Sequence, residues 1–580
     1  MTRRPTAATH AAALSFALLC CFVGSGAAAE TYPGFLPMIT DSAAVFPMPV
    51  IPQPDYLRAL LDPTFGTAVT RISGDAGTSM GALGSQWGPI VKNVYSKVQP
   101  WNSNQTLIEL DNSGPGLDPV FVDGQTYQPV RGPCPNYDHW DSRWHPKLVH
   151  SREQINVNKA GTELMWFDVV NCVKTRSWTL PIVADYGIGS GEGNVSNSGR
   201  FVAIANQHQM VVVDMDPTSI VAPPYPYKRI GPVYTFAPCS LDVARPDSGF
   251  IGNVSISPTG KYIDVKYAGL ALPGQPVCDT LCDMHRIFEV DTSLVIRPHN
   301  MADASQRCGS FQTRPNGWVF PLKHADMTFD PDDENQEVLI GGRACPGSKI
   351  GHVVKVRLVD GQVTSLTDPT NEPSYSHGSA RNMLRPGWFY VTYSRDPIYA
   401  GYRFYGEVVA VRIDGSGSVQ RFGHYHSIAA TFDTEAHAVP SPDGTRVMFT
   451  SDWADHGYWP GTPPVTPPPG ARTFVFDARE GATLDTPPPE PPRGLRLVSL
   501  SPNPTPGGLH VRFWIPAPRP TALELYDLAG RRLYVADAGT LGVGEHVLDL
   551  DPDGRLKAGV YFVTLTDGHE RKTARAVVLR

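Results

Sequence analysis

The sequence predicts an all-β protein, a seven-bladed β-propeller followed by a small β-sandwich. Three observations lead there. The 580 residues include 54 glycines and 56 prolines, which interrupt long helices. Hydrophobic residues make 41% and aromatics 10%, too many for a disordered chain. Polar turns recur at intervals of roughly 50 residues, each followed by a β-branched or aromatic run, the pattern of propeller blades. The net charge of −7 gives no basic stripe, so nucleic acid is not an expected partner.

Arg3 and Arg4, the apolar run 11–23 and Ala27-Ala28-Ala29 predict a secretory signal over residues 1–29. That run is short for a bilayer, and no later one reaches ~18 apolar residues, so no transmembrane segment is expected. Cys20 and Cys21 lack the small preceding residue of a lipidation site. The expected location is secreted or cell-surface, as a monomer. Seven cysteines follow the signal: Cys134, Cys172, Cys239, Cys278, Cys282, Cys308 and Cys345. An oxidising compartment pairs some of them, and the odd count leaves at least one over. Cys278, Cys282 and His285 lack a second ligand pair at zinc spacing, which favours a small disulfide loop.

The propeller is expected over 30–480. Its seven turn-and-strand copies begin at Asn102, Asn158, Asn197, Ser257, Asp330, Arg385 and Ser441. The clearest is Ser441-Pro442-Asp443-Gly444 before VMFTSD. The strand within 66–74 is expected to complete the last blade and close the ring. These turns resemble those of TolB-type and WD-like propeller repeats. Proline-rich stretches follow at 460–470 and 486–494, and residues 481–494 read as a stiff linker.

Residues 495–580 hold alternating strands at 509–516, 522–528, 546–550, 559–566 and 573–579. Ser501-Pro502-Asn503-Pro504, then Leu525-Tyr526-Asp527-Leu528-Ala529-Gly530-Arg531, then Ala558-Gly559-Val560-Tyr561-Phe562-Val563 resemble the C-terminal sorting domain of type IX secretion cargo. They also resemble the Ig-like domain of the flagellar hook-cap protein. The resemblance implies an Ig-like sandwich that engages export machinery.

Chemistry is expected at the channel, where inner strands converge. His437 lies four residues before Ser441, His324 six before Asp330 and His150 eight before Asn158. Even offsets put these on one face of their strands, and Glu435 faces with His437. His377 lies about seven residues before its turn. The stretch Thr434–Gly444 and the segments around His377 and His324 are similar to oligogalacturonate lyases, seven-bladed propellers. That likeness implies a divalent metal (manganese, calcium or zinc) held by His324, His377, Glu435 and His437. It also implies β-elimination on uronate-containing oligosaccharides. Arg381 is the candidate cation for an acidic sugar, with His150 beside it. The family has two histidines where this chain has Glu435 and His437, and Asn253 is nearest to its catalytic histidine. Trp140 and Trp144 offer either sugar-stacking faces or rim packing. No Gly-x-Ser-x-Gly elbow, phosphate loop or dinucleotide fingerprint occurs. Two functions stand: a propeller binding a glycan or protein partner, and a metal-dependent polysaccharide lyase.

Overall fold

The computed structural model describes residues 35–49, 51–114, 118–185, 187–215, 229–236, 250–268, 285–299, 318–319, 322–343, 352–428, 431–454, 470–479, 494–501, 509–517, 519–541, 544–550 and 556–579. Among these, seven antiparallel sheets follow one another along the chain. We number them as blades. Six begin with an inner strand or strand pair: Val91–Lys92, Arg143–Trp144, Phe250–Ile256, Leu322–Asp330, Tyr375–Ser379 and Val439–Pro440. The third blade begins at Phe201–Ala205, extended inward by a bridge from Val195 to Val202. The second and third strands that follow are largely buried. Trp388–Tyr393 (WFYVTY) is buried at all six positions, because both faces pack against neighbouring sheets.

The packing closes a circle. Seven apolar clusters each join two consecutive blades. Phe121 meets Trp144 between the first and second blades, and Trp166 meets Val202 between the second and third. Further interfaces hold Val212 with Ile263, Ile287 with Leu339, Val338 with Phe389, and Tyr390 with Phe449. The last returns Met448 and Val475 of the seventh blade to Ile108 and Leu110 of the first. Strand pairing closes the ring as well. Ala68–Arg71 pairs antiparallel with Arg472–Asp477, and Ala59–Leu61 adds the outer edge. The expected closure by 66–74 is therefore observed.

Five of the seven turns join the first and second strands of a blade, and the Asn197 turn joins the Val195 bridge to Phe201–Ala205. The exception is Asn158, which joins the second strand, Glu153–Val157, to the third, Glu163–Asp168. The copy was thus displaced by one strand, because Arg143–Trp144 is too short to register in the sequence. An N-terminal strap, residues 35–46, crosses the sixth and seventh blades. Leu36 N–H donates to Ala478 O, and Arg421 donates to the carbonyls of Asp41 and Ala44. Arg421 is fully buried in a bidentate pair with Glu407.

The C-terminal residues form two sheets around one apolar core, a β-sandwich. Its strands include the five expected, plus Arg496–Ser501 and Arg532–Asp537. Cys134 and Cys172 form a disulfide. The other five cysteines that follow the signal, the signal segment and all but the final glycine of each proline-rich stretch lie outside the described residues. No helix among the described residues is long and apolar enough to cross a membrane.

Candidate metal centre at the channel mouth

Three innermost strands bring histidines together, and each does so through local distortion. Pairing registers shift between Lys323 and Asp326 and between Tyr375 and His377. His324 and His437 take left-handed backbone, with φ of +45° and +42°. Bulges re-aim side chains, so the even-offset rule does not describe this site. The Tyr375 hydroxyl donates to His324 O at 2.9 Å and holds that bulge. Gly342 makes room for the Tyr375 ring, since a Cβ there would lie 2.4 Å from it.

The rings of His324 and His377 have centroids 4.3 Å apart, as do those of His377 and His437. Glu435 Oε2 lies 3.5 Å from His377 Nε2 and 3.4 Å from His437 Nε2. A tetrahedron with bonds of about 2.1 Å has edges of about 3.4 Å, so these donors are spaced for one divalent ion. Donor atoms of His377, Glu435 and His437 all lie within 4.8 Å of one another. Both ring nitrogens of His437 are buried without a hydrogen-bond partner. Burial holds His377 well below the usual imidazole range and lowers His437 against the pull of Glu435. Neutral imidazoles with free lone pairs fit a metal. Glu435 is presented by a 3₁₀ turn, Phe432–Thr434, with a reciprocal cap between Thr431 and Thr434.

His324 plays a different part from the three. Its Nδ1 lies 2.7 Å from the Tyr95 hydroxyl, and burial takes its pKa down to about 3 despite Glu192. Tyr95 belongs to a segment, 93–99, that runs along the channel beside the inner strands. Its alternate side chains reach across to other blades. Asn93 donates to His437 O, and Lys97 to Ala325 O and Glu192. Gln99 donates to Arg381 O and Pro440 O. Burial raises the Glu192 carboxyl, but Lys97 and Lys266 outweigh it and hold it well below the usual range. Phe432, 54% exposed, stacks on Tyr95 at 6.0 Å with Lys92 over its ring.

The remaining candidates sit elsewhere. His150 lies in a 3₁₀ turn, packs on His145 and Trp166, and pairs with Glu153 at 2.7 Å. It is not on an inner strand, because the turn used to place it was the wrong one. The Arg381 guanidinium already binds Asp326, at 2.9 and 2.7 Å. Trp144 is buried, donates to Pro100 O and packs on Phe121, so its faces cannot stack a sugar. Trp140 is 40% exposed on its loop. Asn253 is buried on the fourth blade's inner strand, opposite Lys266. The 93–99 segment was missed, although Asn93, Tyr95, Lys97 and Gln99 alternate with period two.

No known family pattern matches the chain, and no curated protein matches it. Solved structures do. The β-propeller domain of Cps50 (Swd1) from Myceliophteria thermophila is 10% identical, with a TM-score of 0.37, over 67% of this chain and 100% of that one. The Pan2 WD40 domain of Neurospora crassa is 9% identical, with a TM-score of 0.37, over 75% and 100%. Hydrazine synthase of Kuenenia stuttgartiensis is 12% identical, with a TM-score of 0.36, over 63% and 95%. At that level of overlap, it is this chain's own strand pairing and its closed circle of cores that make it a β-propeller.

Proposed function

We propose that the protein is an exported β-propeller that binds a glycan or protein partner at its channel mouth, through a divalent ion held by His377, Glu435 and His437. The observation that carries this is the triad's spacing, 3.4 and 3.5 Å, around a histidine with no other partner. When bound, the ion would attract carboxylate or hydroxyl oxygens of a ligand. Phe432 beside it supplies an aromatic face, with Lys92 over that ring paired to Asp433 at 2.8 Å. Export through residues 1–29 and sorting through 495–580 belong to the same reading, and the Cys134–Cys172 disulfide supports an oxidising compartment.

The test is elemental mass spectrometry of the full chain, with His377→Ala and Glu435→Gln alongside. Near-stoichiometric manganese, zinc or calcium, lost in both variants, is the expected result. Absence of metal after addition and dialysis would sink the proposal. Glycan and protein arrays with and without chelator then identify the partner class.

A second reading, lyase activity on uronate-containing oligosaccharides, is favoured by one contact. The Tyr95 hydroxyl on His324 Nδ1 places a proton-exchanging pair beside the triad. Formation of unsaturated uronate ends by the metal-loaded chain, absent in Tyr95→Phe, is its check.

A further inference from the structure

The channel has a second end. Inner strands run from the histidines toward the hairpin turns, and Pro442 lies five positions beyond His437, about 16 Å of extended chain. A cavity of about 30 Å³ lies at the turn end, lined among others by Gln99, Trp101, His145, Asn194 and Arg381. That is room for about two waters or one carboxylate group.

The lining holds hydrogen-bond donors that lack acceptors. Trp101 is buried and its Nε1 has no partner. An indole N–H only donates. His145 is fully buried, and its Nδ1 accepts the Lys147 N–H at 3.1 Å. Its Nε2 therefore carries the hydrogen in the neutral ring, and this atom too has no partner. Gly199 packs against the edge of this ring, where a Cβ would lie 2.4 Å from Cε1 and 2.6 Å from Nε2. Arg381 binds Asp326 and Met327 O through Nε and Nη2, which leaves Nη1 without a partner among the described residues. The acceptor of Gln99 is already taken, by the Trp101 N–H at 3.0 Å. Asn194 Oδ1 is an open acceptor in the lining, because only its backbone and side-chain N–H groups are engaged among the described residues, and the three unpartnered donors outnumber it. An ionised carboxylate only accepts.

We propose that this cavity is a second ligand site, separate from the metal centre, that takes a small carboxylate through Trp101, His145 and Arg381. The probe is acetate. The thermal midpoint of the full chain would be followed in sodium acetate and in sodium chloride at equal ionic strength. Chelator is present throughout, so that acetate reports nothing from the metal centre. Acetate is expected to raise the midpoint saturably and chloride is not. Trp101→Phe and His145→Gln should each weaken the apparent acetate affinity at least tenfold. If those variants do not fold, the indole N–H resonances of the wild-type chain serve instead, where one should shift with acetate and not with chloride. The proposal is overturned by a midpoint and resonances indifferent to acetate, or by variants that respond as the wild type does.

Discussion

His437 sits in left-handed backbone that asparagine tolerates. His437→Asn is therefore expected to fold and to lose metal affinity by about a hundredfold or more, read by competition with a metal-sensitive dye. Arg421 gives the opposite case, a buried cation fully paired with Glu407. Arg421→Met strands that carboxylate and should cost about 3–5 kcal/mol in urea unfolding, and adding Glu407→Leu should recover most of the loss. His145 sets a pH response. Burial, aided by His150, Lys147 and Arg176, holds its folded-state pKa well below the unfolded value near 6.5. The unfolded chain thus takes up the proton first. His145 should therefore contribute about 1.4 kcal/mol per pH unit to a fall in stability below about pH 6.5, and His145→Gln should reduce the measured slope by that amount.

At the scale of elements, second and third strands were legible and inner strands were not. WFYVTY and VMFTSD announce themselves because both faces are buried, which leaves a continuous apolar run. Arg143–Trp144 has two residues, and the strand around His324 is bent by a bulge, so neither keeps a readable period. His324, His377, Glu435 and His437 could still be picked out by residue type and by their distance from a turn. The error at His150 came from the same shortness of the inner strand. Tyr95 and Glu192 had no such marker, since their partners are more than 100 residues away for Tyr95–His324 or about that for Glu192–Lys97. The Cys134–Cys172 bridge spans 38 residues between the first two blades. Cys134→Ser with Cys172→Ser is expected to lower stability by about 3–4 kcal/mol, measured by unfolding with and without reductant.

At the scale of the whole molecule, the ring behaves as one object because each core belongs to two blades. Removing residues up to 74 takes away two strands of the seventh blade and uncovers Val475 and Phe476. The truncated chain should lose the single cooperative transition that the full propeller is expected to show by calorimetry. The ring's existence was legible from the turns, and its closure from the strand that had no blade of its own. The same closure dictates a timetable. Ala68 must wait for Asp477, about 400 residues later, and ribosomes add about 5–20 residues per second. For some 20–80 s of synthesis the nascent chain carries Ala68–Arg71 as an orphan strand, open to pairing with a neighbour's. Completion of the circle is therefore a late event in synthesis, and anything that shields that short segment in the interval favours the yield of closed protein.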